Sequence, residues 1–263
     1  MTINKAYLQN HTLAGEYMVD THLHSGRTSI FITGEFSRAL THLKHMGVSG
    51  GIVSNLNEYE DPHENNRSVR SLAQENKGFI LGAVYVNPNR MKTVSDMERE
   101  LEECAQSGFF TSIKLHPVWN GRLIDDPVYT PVYRIAETLD YPVLFHTWGC
   151  EDIRRLESVA LKFPKVYFIA GHCGGELDAS LLAGETAEKL DNFILDFTCS
   201  WAYANLLEYF VQKAGSQKIL FGSDAFWNSF DASVGRVVFA NISDDDKRNI
   251  LGLNAKRLFP GLR

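Results

Sequence analysis

Cysteine is scarce in this chain and never paired. Cys104, Cys150, Cys173 and Cys199 stand far apart with no Cys-x-x-Cys among them. In a chain of 263 residues that spacing argues against a disulfide framework and fits reduced thiols. None has a local setting that would lower its pKa, so no cysteine stands out as a nucleophile. Long apolar runs are missing too: nothing approaches the roughly 18 residues of a membrane span. Residues 1–17 are polar and mixed, without the apolar core of a signal peptide. Together these absences predict a cytoplasmic protein with no membrane partner. Positive charge is also in deficit, with a formal net charge of −6. That argues against a broad nucleic-acid-binding surface but leaves room for a small basic pocket.

What is present is a steady recurrence of short apolar runs, at 17–24, 51–55, 79–87, 109–116, 141–147, 166–173, 193–199 and 218–224. Most are continuous rather than alternating, as in parallel strands buried on both faces. Helical patterns fall between them. Residues 151–163 place Ile153, Leu156, Ala160 and Phe163 on one face, and Pro164 stops the pattern. Residues 95–107 carry Met97, Leu101 and Cys104, with Gly108 following. Residues 36–46 turn Phe36, Leu40 and Leu43 inward, and 244–259 close the chain. There is no long linker and no low-complexity segment. The alternation predicts one domain over residues 1–263, a single (β/α)8 barrel of the α/β class, with a doubly wound open sheet as the alternative.

The polar residues that end these runs favour the barrel. His116, His146, His172, Thr198 and Asp224 follow one another at intervals of 30, 26, 26 and 26 residues, each about one βα unit. Successive units thus bring a polar side chain to the same end of successive strands. In a barrel these ends converge on the active site. In an open sheet they would spread along an edge.

The first run supplies the sharpest motif, Met18-Val-Asp-Thr-His-Leu-His24. Alternation in a strand puts Asp20, His22 and His24 on one face. Two adjacent imidazoles with a carboxylate below suit a divalent metal. His146, after four apolar residues, reads as a further ligand. His172, among glycines in Gly171-His-Cys-Gly-Gly175, reads as a second-metal ligand or as an acid, base or electrostatic clamp. Asp224, ending Leu220-Phe-Gly-Ser-Asp224, is costly to bury unpaired; a metal offsets that cost, and the carboxylate can take a proton as general base. Lys114 and His116 share a face in Ile113-Lys-Leu-His-Pro117. Lys114 reads as an ammonium, an anion holder or a carbamate bridging two metals. Arg27, in the loop 25–34, is a candidate for a substrate carboxylate. Trp148, Cys150, Trp201, Phe226 and Trp227 follow strands near the mouth and are candidates to wall a planar substrate. His63 reads as a loop surface residue, and His42 and His45 as structural.

These motifs resemble the amidohydrolase superfamily, and within it the amidohydrolase-related group that includes aminocarboxymuconate-semialdehyde and resorcylate decarboxylases. The resemblance is carried by Val19-Asp-Thr-His-Leu-His24, Ile113-Lys-Leu-His-Pro117, Asp125-Asp-Pro-Val-Tyr129, Val143-Leu-Phe-His-Thr147, Gly171-His-Cys-Gly-Gly175, Gly222-Ser-Asp224 and Asn254-Ala-Lys-Arg-Leu-Phe259, in order over nearly the whole chain. It implies a metal-dependent TIM-barrel hydrolase, usually with zinc. By motif, His22 and His24 resemble the strand 1 ligands, His146 the strand 5 ligand and Asp224 the strand 8 ligand. His172 resembles the strand 6 histidine, which binds a second metal in binuclear members and is catalytic or contacts substrate in mononuclear ones. Lys114 and His116 stand where TatD-type nucleases usually carry a glutamate, which counts against a nuclease.

The leading expectation is a hydrolase of a small amide, lactone or ester. Its metal, expected to be one or two Zn²⁺ ions, activates water; Asp224 moves the proton, with His172 or His116 at the oxyanion. Arg27, Lys114 and Trp148 are the expected substrate-binding residues. The alternative is non-oxidative decarboxylation of a small aromatic or unsaturated acid at the same metal. A barrel that merely binds a metabolite is a third reading. The expected partner is a small molecule, and a homodimer is the default assembly.

Overall fold

A computed structural model of the chain describes residues 2–27, 36–57, 61–198, 203–225 and 227–262. In chain order the elements are α1 (Ile3–Asn10), β1 (Val19–Ser25), α2 (Phe36–His45), β2 (Gly50–Asn55), α3 (Pro62–Glu75), β3 (Ile80–Val86), α4 (Val94–Gln106), β4 (Phe110–Leu115), α5 (Thr130–Leu139), β5 (Val143–His146), α6 (Cys150–Lys162), β6 (Phe168–Gly171), α7 (Leu177–Lys189), β7 (Phe193–Asp196), α8 (Leu206–Ala214), β8 (Ile219–Leu220), α9 (Phe230–Val238), α10 (Asp244–Arg248) and α11 (Asn254–Leu258). The eight strands pair in parallel in the order β1 to β8. The segment after β8 closes the ring: Thr21 N–H donates to the Phe221 carbonyl, Asp224 N–H to His22 and His24 N–H to Ala225, at 3.0, 2.9 and 2.8 Å. The fold is the (β/α)8 barrel that the apolar runs predicted. No helix among the described residues is long and apolar enough to cross a membrane.

Burial on both faces makes the strands continuously apolar, and the two faces feed two different cores. The inner one takes Val19, Ile52, Ala83, Leu144, Ile169, Ile194 and Leu220, each from a different strand. Ala255, Leu258 and Phe259 pack against them as a plug from the C-terminal segment. Asn254 holds that plug beneath β8, its side-chain amide donating to the carbonyls of Ser216 and Ile219 at 2.7 and 2.8 Å. The outer core lies between strands and helices and holds Val53, Val84, Ile113, Phe145, Phe168, Leu195 and the apolar helix faces. Above the inner apolar layer the inward-facing positions become polar. Two residues on from Leu144 stands His146, and two on from Ile194 stands Asp196. Period-two alternation therefore lifts a polar floor to the carboxyl ends of the strands.

Three local expectations need correction. Asp20 does not share a face with His22 and His24. The pairing register slips between Asp20 and Leu23, so Val19 packs in the inner core whereas Leu23, four residues on, packs in the outer one. A β-bulge carries one extra residue and breaks the alternation once. His63 is not a loop residue. Asp61 caps α3, accepting from His63 N–H at 2.9 Å, and Pro62 fills the first turn; this is a helix-start signature. The His63 ring then bridges α3 to Glu100 and Asp96 on α4. The last run is also shorter as a strand than 218–224, because Asp224 adopts φ 60°, a left-handed conformation that breaks the extended chain and that Asp tolerates better than most residues.

Candidate metal centre

At the carboxyl end of the barrel His22, His24 and Asp224 bring three ligand atoms within 4.8 Å of one another, all buried. The Nε2 atoms of His22 and His24 face each other at 3.0 Å. Each ring is tied through its other nitrogen: His22 Nδ1 lies 2.6 Å from Asp196 Oδ2, and His24 Nδ1 lies 2.9 Å from Ser54 Oγ. If both Nδ1 atoms carry the proton, both Nε2 lone pairs point at one place. Asp224 Oδ2 accepts from the Asn228 amide at 2.7 Å. Its Oδ1 is buried and accepts no hydrogen bond from the described residues, although His24 Nε2 is 3.3 Å away. An orphaned carboxylate oxygen beside two converging imidazole nitrogens is what a divalent cation satisfies, so the residues present fit a metal. The nitrogen and oxygen donors suit Zn²⁺ or Mn²⁺.

Lys114, a candidate from the sequence, touches this cluster. It is fully buried, and its Nζ lies 2.9 Å from His22 Nε2. Burial lowers its pKa to about 8, against the pull of Asp224 and Asp196. Burial, opposed by Lys114, raises the Asp224 carboxyl to about 7. Asp196 is raised for the same reason. The histidines go the other way: burial, with the Lys114 charge adding to it, depresses His22, His24 and His116, and takes His172 to about 4. For His146 burial leads and His116 follows. The site is thus a cluster of neutral imidazoles around one ammonium and two carboxyls.

Flat rings line the rest of the mouth. His116 is sandwiched between Trp119 and His146, with ring centroids 4.1 and 4.0 Å away and planes within 16° and 13°. Trp148 lies parallel to His146 at 6.2 Å. Its position depends on Gly175, where a Cβ would fall 2.5 Å from the indole. On the far side Trp227 stacks on His24 at 4.3 Å, and its ring is 6.0 Å from that of Trp119. His172 sits between the two groups, 5.0 Å from His22 and 4.7 Å from His146 by ring centroid.

The sequence-derived candidates therefore separate. His22, His24 and Asp224 form the compact cluster, and Lys114 touches it. His116, His146 and His172 converge on it as a stacked and tilted group. Among the described residues His146 and His172 are not part of the three-atom cluster. Arg27 follows β1 with an exposed side chain, while most of its loop, together with Cys199, Trp201 and Phe226, lies outside the described residues. Asp20, read as a carboxylate beneath the histidines, is instead spent on the strands. Its Oδ1 accepts from the N–H groups of His22 and Ser223, both at 3.1 Å, and its Oδ2 from Ser223 Oγ at 2.5 Å. Sequence reasoning missed Ser54, Trp119 and Asp196. Asp196 had a readable signal, since it closes the apolar run Phe193-Ile-Leu as Asp224 closes its own, two residues before the Thr198 that the interval picked out.

The sequence pattern of the family described as Amidohydrolase matches residues 43–261. No curated protein matches the chain. Several solved structures share its fold. 5-Carboxyvanillate decarboxylase from Sphingomonas paucimobilis has a TM-score of 0.74 at 15% identity, over 93% of this chain and 99% of that one. Dihydroxybenzoic acid decarboxylase from Polaromonas, with bound manganese and the inhibitor 2-nitroresorcinol, scores 0.73 at 16% identity over 92% and 96%. 4-Oxalomesaconate hydratase from Rhodopseudomonas palustris scores 0.70 at 15% identity over 93% and 96%.

Proposed function

Because the chain belongs to the amidohydrolase family, we propose that it is a metal-dependent enzyme that removes carbon dioxide from a small aromatic or unsaturated carboxylic acid without oxidation. The observation that carries this reading is the composition of the mouth: a compact metal-ligand cluster with a buried ammonium, walled by parallel rings. Such walls take a flat substrate, and the ammonium takes an anionic group. The named activities of the two decarboxylases that share the fold support the same choice, and the named activity of the hydratase widens the range beyond decarboxylation.

His22, His24 and Asp224 would hold the ion, with His146 completing the ligand set. Zn²⁺ is our choice of metal, and the manganese of the Polaromonas enzyme is its rival. When bound, the ion would supply positive charge able to attract a substrate carboxylate. Lys114 counters the anionic charge of the substrate from below. Trp119, Trp148 and Trp227, with the His116–His146 stack, fix the ring plane and keep water away. Loss of CO2 breaks one carbon–carbon bond and leaves an electron pair on carbon, which takes one proton. Asp224 is the proposed proton carrier, and His172 flanks the same space. Arg27 is the proposed contact for a substrate group at the entrance.

Hydrolysis of a small amide, lactone or ester is the second reading. It is favoured by one observation: Asp224 Oδ1, beside the ligand nitrogens, accepts no hydrogen bond from the described residues, and a carboxylate there could take a proton from water. One experiment separates the two. Protein loaded with Zn²⁺ or Mn²⁺ is incubated with a panel of hydroxybenzoic and unsaturated diacids in D2O, and in parallel with amides and lactones. CO2 release with one deuterium at the carbon that lost the carboxylate supports decarboxylation. Hydrolysis of a lactone or amide with no CO2 from any acid would refute it.

A further inference from the structure

We propose that Asp196, which lies outside the ligand cluster, is the positioning residue that fixes the tautomer of His22 and makes it a metal ligand. The inference rests on the metal reading of His22, His24 and Asp224, and is independent of which reaction the metal serves.

Asp196 ends β7 and is fully buried. Its Oδ2 lies 2.6 Å from His22 Nδ1, and its Oδ1 accepts from Thr198 Oγ1 at 2.5 Å. An ionised carboxylate can only accept. With Asp196 ionised, the pair places the proton on His22 Nδ1, which leaves the Nε2 lone pair facing His24 Nε2 and Asp224. A carboxylate behind an imidazole also makes its far nitrogen a stronger donor to a metal. The end of β7 treats a second imidazole alike: the Thr198 carbonyl accepts from His172 Nδ1 at 2.7 Å, again turning Nε2 toward the mouth. One strand end thus sets two tautomers without supplying a ligand atom.

The arrangement is held from several sides. Cys173 Sγ donates to the Asp196 carbonyl at 3.1 Å, tying the turn after β6 to β7. The chain after β8 passes so close that a Cβ on Gly222 would fall 2.0 Å from Thr198 Oγ1, 2.6 Å from His22 Cβ and 2.8 Å from Asp196 Oδ1. Glycine at 222 is therefore what lets β8, β7 and β1 meet around this carboxylate, and it gives Gly222-Ser-Asp224 its physical reason. A buried carboxylate with no ligand atom of its own in the cluster is costly. Orienting a ligand gives it a role that merely filling the barrel would not.

The substitution Asp196→Asn keeps size and shape. An amide cannot accept on both sides as a carboxylate does, so it either loses only its charge or presents its NH2 to His22 and reverses the tautomer. Metal-stripped wild type, Asp196→Asn and Thr198→Val are titrated with Zn²⁺ and Mn²⁺ against a competing chelator. Circular dichroism checks the fold, and ¹H–¹⁵N correlation of the imidazoles reports the His22 tautomer. A dissociation constant raised about 10–100-fold in Asp196→Asn, with native folding and an altered His22 signal, is expected. Thr198→Val should give a smaller loss in the same direction. An unchanged constant in folded Asp196→Asn overturns the inference. Should that variant not fold, Thr198→Val decides, and wild-type affinity there overturns it. A wild type that takes up neither metal overturns the metal reading and this inference with it, whereas equal binding by wild type and variant overturns this inference alone.

Discussion

Asp20 on β1 binds both the backbone N–H and the hydroxyl of Ser223, at 3.1 and 2.5 Å. It lies at the point where the bulge of β1 meets the chain leaving β8. Next to Ser223 stands Asp224, and two residues beyond Asp20 stands His22. The clamp therefore brings ligands 202 positions apart in the chain into one cluster. Burial, against the donors of Ser223 and His22, raises the Asp20 carboxyl to about 7, so each donor it keeps matters. Ser223→Ala should destabilise the metal-free protein by about 1–3 kcal/mol, the cost of stripping a partner from a buried polar group. Urea denaturation measures this, and an unshifted midpoint would contradict the clamp.

Acid should unfold the metal-free protein through its histidines. His22, His24, His116, His146 and His172 are depressed below their ordinary value by burial. They contribute stability in full above about pH 6.5, and this is lost as the pH falls and the unfolded chain binds protons that the folded one does not. Asp20, Asp196 and Asp224, raised by burial, act in the opposite sense: their contribution is lost as the pH rises, through about 7 for Asp20 and Asp224. Five groups outnumber three. The Tm of chelator-treated protein should therefore fall between pH 7 and pH 5. A Tm that rises on acidification would mean the carboxyls dominate.

Lys114 offers a test in which two quantities move apart. Its Nζ stands 2.9 Å from His22 Nε2, where it competes with a metal for the same lone pair. Lys114→Met should bind Zn²⁺ more tightly than wild type. Under the proposed function it should also lose about 10²–10³-fold in kcat/KM, the range seen when one preorganised electrostatic contact is removed. Chelator competition and CO2 release measure the two effects. A variant that instead loses its metal would show that Lys114 supplies a ligand, as a carbamate would.

Phe259 reports on the barrel floor independently of the chemistry. It is 1% exposed and packs with Leu258 against Val19, Ile52 and Leu220. Phe259→Ala should cost about 3–5 kcal/mol, as large-to-small changes in a tight core do. Metal affinity should stay at the wild-type value, because the floor lies beneath the polar layer. Thermal melts and metal titration check both.

The sequence by itself determined the architecture and most of the polar floor. Continuous apolar runs need burial on both faces, and regular βα spacing delivers His116, His146, His172 and Asp224 to one end. Periodicity carries that information because it is local. The tertiary structure decided the rest. The β1 bulge turned Asp20 from a neighbour of the ligands into a clamp on Ser223, since a slip of one residue cannot be read from an alternating pattern. His63 became part of a helix–helix contact because Asp61 and Pro62 start α3, a signal that was present but outweighed by the polarity around it. The roles of Asp196 and Lys114 depend on distances across the barrel, from β7 to β1 and from β4 to β1. No spacing along the chain encodes those distances, because they arise only when the eight strands close on one another.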